Sequence, residues 1–123
     1  MKLVYIVEPH SDTAALETDL LEGVGFGVRV VTARGAEAAL QGDDVGLLLV
    51  TAGPRDRAAA AALLAKANVA RVPVIVTTTG RDVARWSSAA AVLLKPFEFE
   101  DLLTHVRVHF AAWPHATAPL RGF

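Results

Sequence analysis

Four short segments bring together the side chains of this chain that are able to do chemistry: Glu8-Pro9-His10, Thr51-Ala52-Gly53, Thr77-Thr78-Thr79 and Lys95-Pro96-Phe97. They supply one carboxylate, several hydroxyls and one ammonium group. That set can hold an ion or an oxyanion, but it contains no activated nucleophile. Thr77-Thr78-Thr79-Gly80 has the outline of a phosphate-cradling turn, whose backbone N–H groups face an anion. With a single glycine, a plain strand-to-helix turn is the simpler reading. His10 and Asp12 lie beside the first segment, although Mg²⁺ prefers oxygen ligands. His105 and His109 are spaced for joint metal binding on one helix face, but no third ligand accompanies them, and they read as ordinary histidines. The chain has no cysteine, which removes thiolate nucleophiles, disulfides and cysteine-based zinc sites. No nucleophile–base pair is evident, and an enzyme is not expected.

The elements that position these segments follow from five apolar runs: Leu3 to Val7, Val28 to Thr32, Leu47 to Thr51, Val74 to Thr78 and Val92 to Leu94. Most are continuous and rich in Val, Ile and Leu, the pattern of strands buried on both faces of a parallel sheet. Between them lie five helical segments. Ser11 or Asp12 caps the first, with Leu16, Leu20 and Leu21 on its core face and Gly23 or Gly25 at its end. The second runs from Gly35 to Leu40, the third from Arg55 to Asn68, and a short fourth from Arg81 to Ser88. On the fifth, Phe99, Leu102, Leu103, Val106, Phe110 and Trp113 share one stripe. The expectation is an α/β fold, (βα)₅ and doubly wound, with a five-stranded parallel sheet of the flavodoxin type. In such sheets the ligand crevice lies beyond the carboxyl ends of the strands. All four polar segments fall there.

The length of 123 residues suits one domain, expected over 1–112, with 113–123 as a C-terminal tail or the start of a linker to an output domain. Twelve Lys and Arg against thirteen Asp and Glu give a net charge of −1, so neither nucleic acid nor an anionic membrane attracts the chain as a whole. The arginines Arg55, Arg57, Arg81, Arg85 and Arg107 are scattered, and no recognition helix is visible. No apolar run is long enough to span a membrane. The N-terminus turns acidic at Glu8, too early for a signal peptide, and a cytoplasmic location is expected.

The motif Leu94-Lys95-Pro96-Phe97, followed by the acidic helix start Glu98-Phe99-Glu100-Asp101-Leu102, resembles the receiver domain of two-component response regulators. So do Leu3-Val4-Tyr5-Ile6-Val7-Glu8 as a first strand and Pro73-Val74-Ile75-Val76-Thr77-Thr78 as a fourth. The likeness runs from about Lys2 to Phe110. It implies a CheY-like fold in which an aspartate after strand three takes a phosphoryl group from a histidine kinase. A pair of acids after strand one would help hold Mg²⁺, and a hydroxyl residue and a lysine would bind the phosphoryl oxygens. An aromatic residue on strand five would then swing inward.

Lys95, Thr78 and Glu8 match that pattern. Pro9 falls where the second acid belongs, Thr51 where the phosphoacceptor belongs, and Val92 at the aromatic switch position. Asp43 and Asp44 precede strand three, and Asp56 starts the third helix, so none of them substitutes. The resemblance therefore implies a pseudo-receiver without a phosphoacceptor, with no Mg²⁺ or other cofactor. It would act in signal transduction or transcription regulation by protein contacts, independently of phosphorylation. Two consequences are expected. Glu8 and Lys95, the only charges left in the pocket, should pair directly. Trp86, Val92 and Val108 should form an apolar patch on the face of the fourth helix, fifth strand and fifth helix, open to a protein partner or a second copy. The alternative is a ligand-sensing domain that binds a small anion or metabolite in the vacated crevice near Thr51, Thr78 and Lys95.

Overall fold

The structure, a computed structural model, describes residues 1–110. The expected packing role of Trp113, the domain boundary at 112 and the tail 113–123 lie outside the described residues. Five parallel strands form one sheet: β1 (Leu3–Val7), β2 (Val28–Val30), β3 (Val45–Thr51), β4 (Val74–Thr78) and β5 (Ala91–Leu94). Their order is β2-β1-β3-β4-β5. The chain steps outward from β1 to β2, then returns to place β3 on the other side of β1. The order therefore reverses between β1 and β3, and a crevice opens beyond their carboxyl ends.

β3 shows why the strands read as continuous apolar runs. Val45 through Val50 are all buried. Leu47 and Leu49 point into the core beneath α1 (Ser11–Gly23) and α4 (Phe99–His109), while Leu48 and Val50 point into the core beneath α2 (Ala33–Ala39) and α3 (Arg57–Val69). β2 is an edge strand with Arg29 and Val30 exposed, and it is shorter than expected. Thr32 leaves it to become the N-cap of α2, its hydroxyl accepting from the Gly35 N–H at 3.0 Å. Cap and strand conformations are both extended, so the residue types at this junction did not separate them.

Two helices depart from expectation. On α1 the buried stripe is Ala14, Glu17 and Leu21; Leu16 is 58% exposed. Leu16 lies about 140° around the helix from Leu21, and with Leu21 fixed over the sheet it cannot reach the core. Residues 81–88 hold only a 3₁₀ turn, η1 (Val83–Trp86), so the expected fifth helix is α4 here. Thr79-Gly80 and Ser87-Ser88 flank it with poor helix formers and leave too few residues to nucleate a helix.

Gly46 on β3 has a packing reason. A Cβ there would sit 2.5 Å from the Phe110 ring, which closes the α4 core edge-on against Phe26 at 5.3 Å. Gly46→Val is therefore expected to destabilise the domain by about 2 kcal/mol through overpacking, read as a lowered midpoint in urea unfolding. Among the described residues no helix is long and apolar enough to cross a membrane.

Candidate functional site

β1 delivers Glu8 into the crevice with its carboxylate fully buried. Three donors meet it. Thr51, at the end of the adjacent β3, donates its hydroxyl to Oε1 at 2.5 Å. Lys95 Nζ donates to the same oxygen at 3.3 Å. The His10 backbone N–H donates to Oε2 at 3.1 Å, with His10 Nδ1 at 3.4 Å. Burial alone would raise the pKa of Glu8. The hydrogen bond from Thr51, then that from the His10 N–H and the charge of Lys95, outweigh it and hold the pKa below 4.5. The expected Glu8–Lys95 pair is thus formed, and Thr51 joins it.

Thr51 and Thr77 are register partners on β3 and β4, and their hydroxyls are 3.1 Å apart. Thr78 faces the other way. Its hydroxyl donates to the Ala52 carbonyl at 2.8 Å and accepts from the Gly80 N–H at 3.0 Å, so it serves the loop geometry. Pro9 is exposed at the crevice mouth. Val92 pairs with Val76 and is half-buried against the α2/α3 core. Asp44 sits at the opposite end of the sheet, where its carbonyl accepts from the Leu3 N–H at 2.7 Å. Above the Glu8–Lys95 pair a crevice of about 360 Å³ remains, lined by Thr51, Arg55, Asp56, Thr78 and Lys95 among others. His105 and His109 stack face to face at 6.1 Å, and no group of three or more metal-ligating side chains converges among the described residues.

The apolar patch is not formed as expected. Trp86 is 2% exposed and belongs to the α2/α3 core, because η1 turns its indole under the sheet edge. Val108 lies 64% exposed on α4, which packs on the opposite face of the sheet. Leu94, on edge strand β5, is 49% exposed and was not anticipated.

No protein-family model matches the chain, and no curated protein sequence does. Its shape matches solved structures closely. A CheY-like response regulator receiver domain protein from Methanospirillum hungatei JF-1 superimposes with a TM-score of 0.78 at 21% identity, over 94% of this chain and 98% of that one. The chain has the receiver fold. A response regulator from Thermotoga maritima matches with a TM-score of 0.75 at 20% identity, over 90% of this chain and 98% of that one. The pseudo-receiver domain of the CikA protein matches at 0.68 and 20% identity, over 88% and 96%.

Within this receiver fold sits one charged group that sequence reasoning missed. Glu17 on α1 is 5% exposed, and its Oε1 has no hydrogen-bond partner among the described residues. Burial first, and the neighbouring Glu8 carboxylate second, push its pKa up to about 7, against the pull of Lys95. The signal was a carboxylate spaced three residues after Ala14 and four before Leu21, on the buried stripe itself.

Proposed function

We propose that this chain is a pseudo-receiver: a non-enzymatic signalling module that works by protein contact, independently of phosphorylation and of Mg²⁺. The observation that carries this reading is the saturation of Glu8. Its carboxylate takes donors from Thr51, Lys95 and the His10 N–H, and neither Thr51 nor Pro9 offers the further carboxylates a phosphorylatable aspartate site with bound Mg²⁺ requires. A threonine hydroxyl also cannot form the acyl phosphate that accepts readily from a phosphohistidine. The partner surface proposed is the β5 edge with the exposed Leu94, serving a protein partner or a second copy, the chain acting either as a stand-alone adaptor or joined to an output domain.

Titration with Mg²⁺ and beryllofluoride, a phosphoryl mimic, tests the central point. No change in melting temperature is expected. A bound phosphoryl mimic at 100 times its dissociation constant would stabilise the fold by about 2.7 kcal/mol, and a saturable Mg²⁺-dependent rise of that kind would overturn the reading.

The open crevice of about 360 Å³, with Arg55, Thr78 and Lys95 in its lining, favours a second reading in which a small anion binds there. Sulfate or phosphate titrated in the same melt tests it. Stabilisation that is lost in Arg55→Ala would support anion sensing.

A further inference from the structure

We propose that the groove between α1 and the β5–α4 junction is a binding site for a small organic cation, an ammonium group carried on an apolar body. The groove encloses about 590 Å³, within the range of small-molecule sites. Its walls include Leu16, Leu20, Phe97 and Phe99, and both Glu17 and Lys95 belong to its lining. Leu16 stands 58% exposed on this wall among the described residues.

Charge counting sets the sign of the ligand. Two buried carboxylates, Glu8 and Glu17, share one ammonium, Lys95, which Glu8 holds at 3.3 Å. One positive charge is missing. The carboxyl oxygen Oε1 of Glu17 is buried and has no hydrogen-bond partner among the described residues, a condition that is costly and uncommon in native interiors. Lys95, already held by Glu8, is the basic residue that acts on Glu17, and the elements beside it add none among the described residues: α1 carries Asp12, Asp19 and Glu22, and the entry to α4 carries Glu98, Glu100 and Asp101. An ammonium ion seated in the groove beside Glu17 supplies the missing charge. The aliphatic and aromatic walls select an apolar carrier over a hydrated metal ion, and a divalent cation would need several oxygen ligands that do not converge here.

The test is a titration of the ¹⁵N-labelled protein with 2-phenylethylammonium chloride at pH 8, followed by amide shifts. Two comparators are run at matched ionic strength: neutral 2-phenylethanol, which has the same apolar body, and ammonium chloride, which has only the charge. Saturable shifts on α1 and residues 95–99 are expected, with a dissociation constant on the order of 1 mM for so small a ligand. Both comparators should bind at least about tenfold more weakly. Glu17→Gln should abolish the preference for the ammonium over the alcohol, while Asp19→Asn, an exposed α1 position outside the groove, should leave it intact. Equal binding of the alcohol, an unchanged preference in Glu17→Gln, or no saturation by roughly 10 mM would each overturn the proposal.

Discussion

Replacing Lys95 with alanine should lower the unfolding free energy at pH 7 by about 2 kcal/mol, below the ~3–5 kcal/mol typical of a broken buried pair. The cost arises at Glu8. Its carboxylate stays fully buried, and the variant removes the ammonium paired with it, leaving the His10 ring at 3.4 Å. Two things moderate the loss: Lys95 is itself 26% exposed, and Thr51 and the His10 N–H still donate. The pH dependence has a definite sign. Burial raises the pKa of Glu8, but the hydrogen bonds and Lys95 bring it below 4.5. Such a group contributes stability that is present above its unfolded pKa of 4.5 and is lost as pH falls through the folded value. The gap between wild type and Lys95→Ala should therefore close as the pH drops below 4.5. The double variant Glu8→Gln/Lys95→Met should recover part of the loss, since it leaves no uncompensated charge. Equal urea midpoints for wild type and Lys95→Ala at pH 7 would show that the pair carries no stability.

The fold was legible because its signals are long and redundant. Two of the apolar runs, Leu3 to Val7 and Val74 to Thr78, coincide with the observed strands at both ends, and the other three share one end with theirs. Runs of four or more buried β-branched and leucine residues leave few alternatives to a covered parallel sheet. Where a signal was short, tertiary packing decided. The eight residues Arg81 to Ser88 read as a short helix, but the Trp86 indole is buried in the α2/α3 core and the segment holds only a 3₁₀ turn. Helical phase failed on α1 for a related reason. Leucine at 16 and 20 outweighs glutamate at 17 on any hydropathy count, yet burial is fixed by which face Leu21 and the small Ala14 present to the sheet.

The candidate site was legible in its membership and not in its directions. Glu8, Thr51 and Lys95 come together as their places at strand ends require. Alternation along β4 then separates neighbouring hydroxyls: Thr77 turns toward Thr51, and Thr78 turns to the Ala52 carbonyl. Residue type alone does not distinguish Thr77 from Thr78, because a shift of one position changes the face. Trp86 shows the same limit at a surface. An indole on a short polar segment looks available for contact, and only the path of η1 shows that it is core.

Glu17→Gln should stabilise the domain at pH 8 by about 2–3 kcal/mol and have little effect near pH 4. Burial, then the Glu8 charge, hold the folded-state pKa of Glu17 up to about 7, against 4.5 when unfolded. Between those values the folded state keeps a proton that the unfolded state gives up. Unfolding then releases a proton, so stability falls as pH rises from 4.5 to 7 and stays low above. Glutamine keeps the shape and cannot ionise, so the variant should lose this slope while retaining the acid-side loss that Glu8 imposes below 4.5. Of the two carboxylates, Glu8 erodes stability on the acid side of 4.5 and Glu17 between 4.5 and about 7. Urea midpoints of both proteins from pH 4 to 8 give the comparison directly. Parallel curves would mean that Glu17 ionises at its ordinary value and reaches water or a counter-charge. A variant curve that stays level from pH 5 to 8, while the wild type declines, would place an unpaired carboxyl inside the receiver fold at the point where α1 meets the Glu8–Lys95 pair.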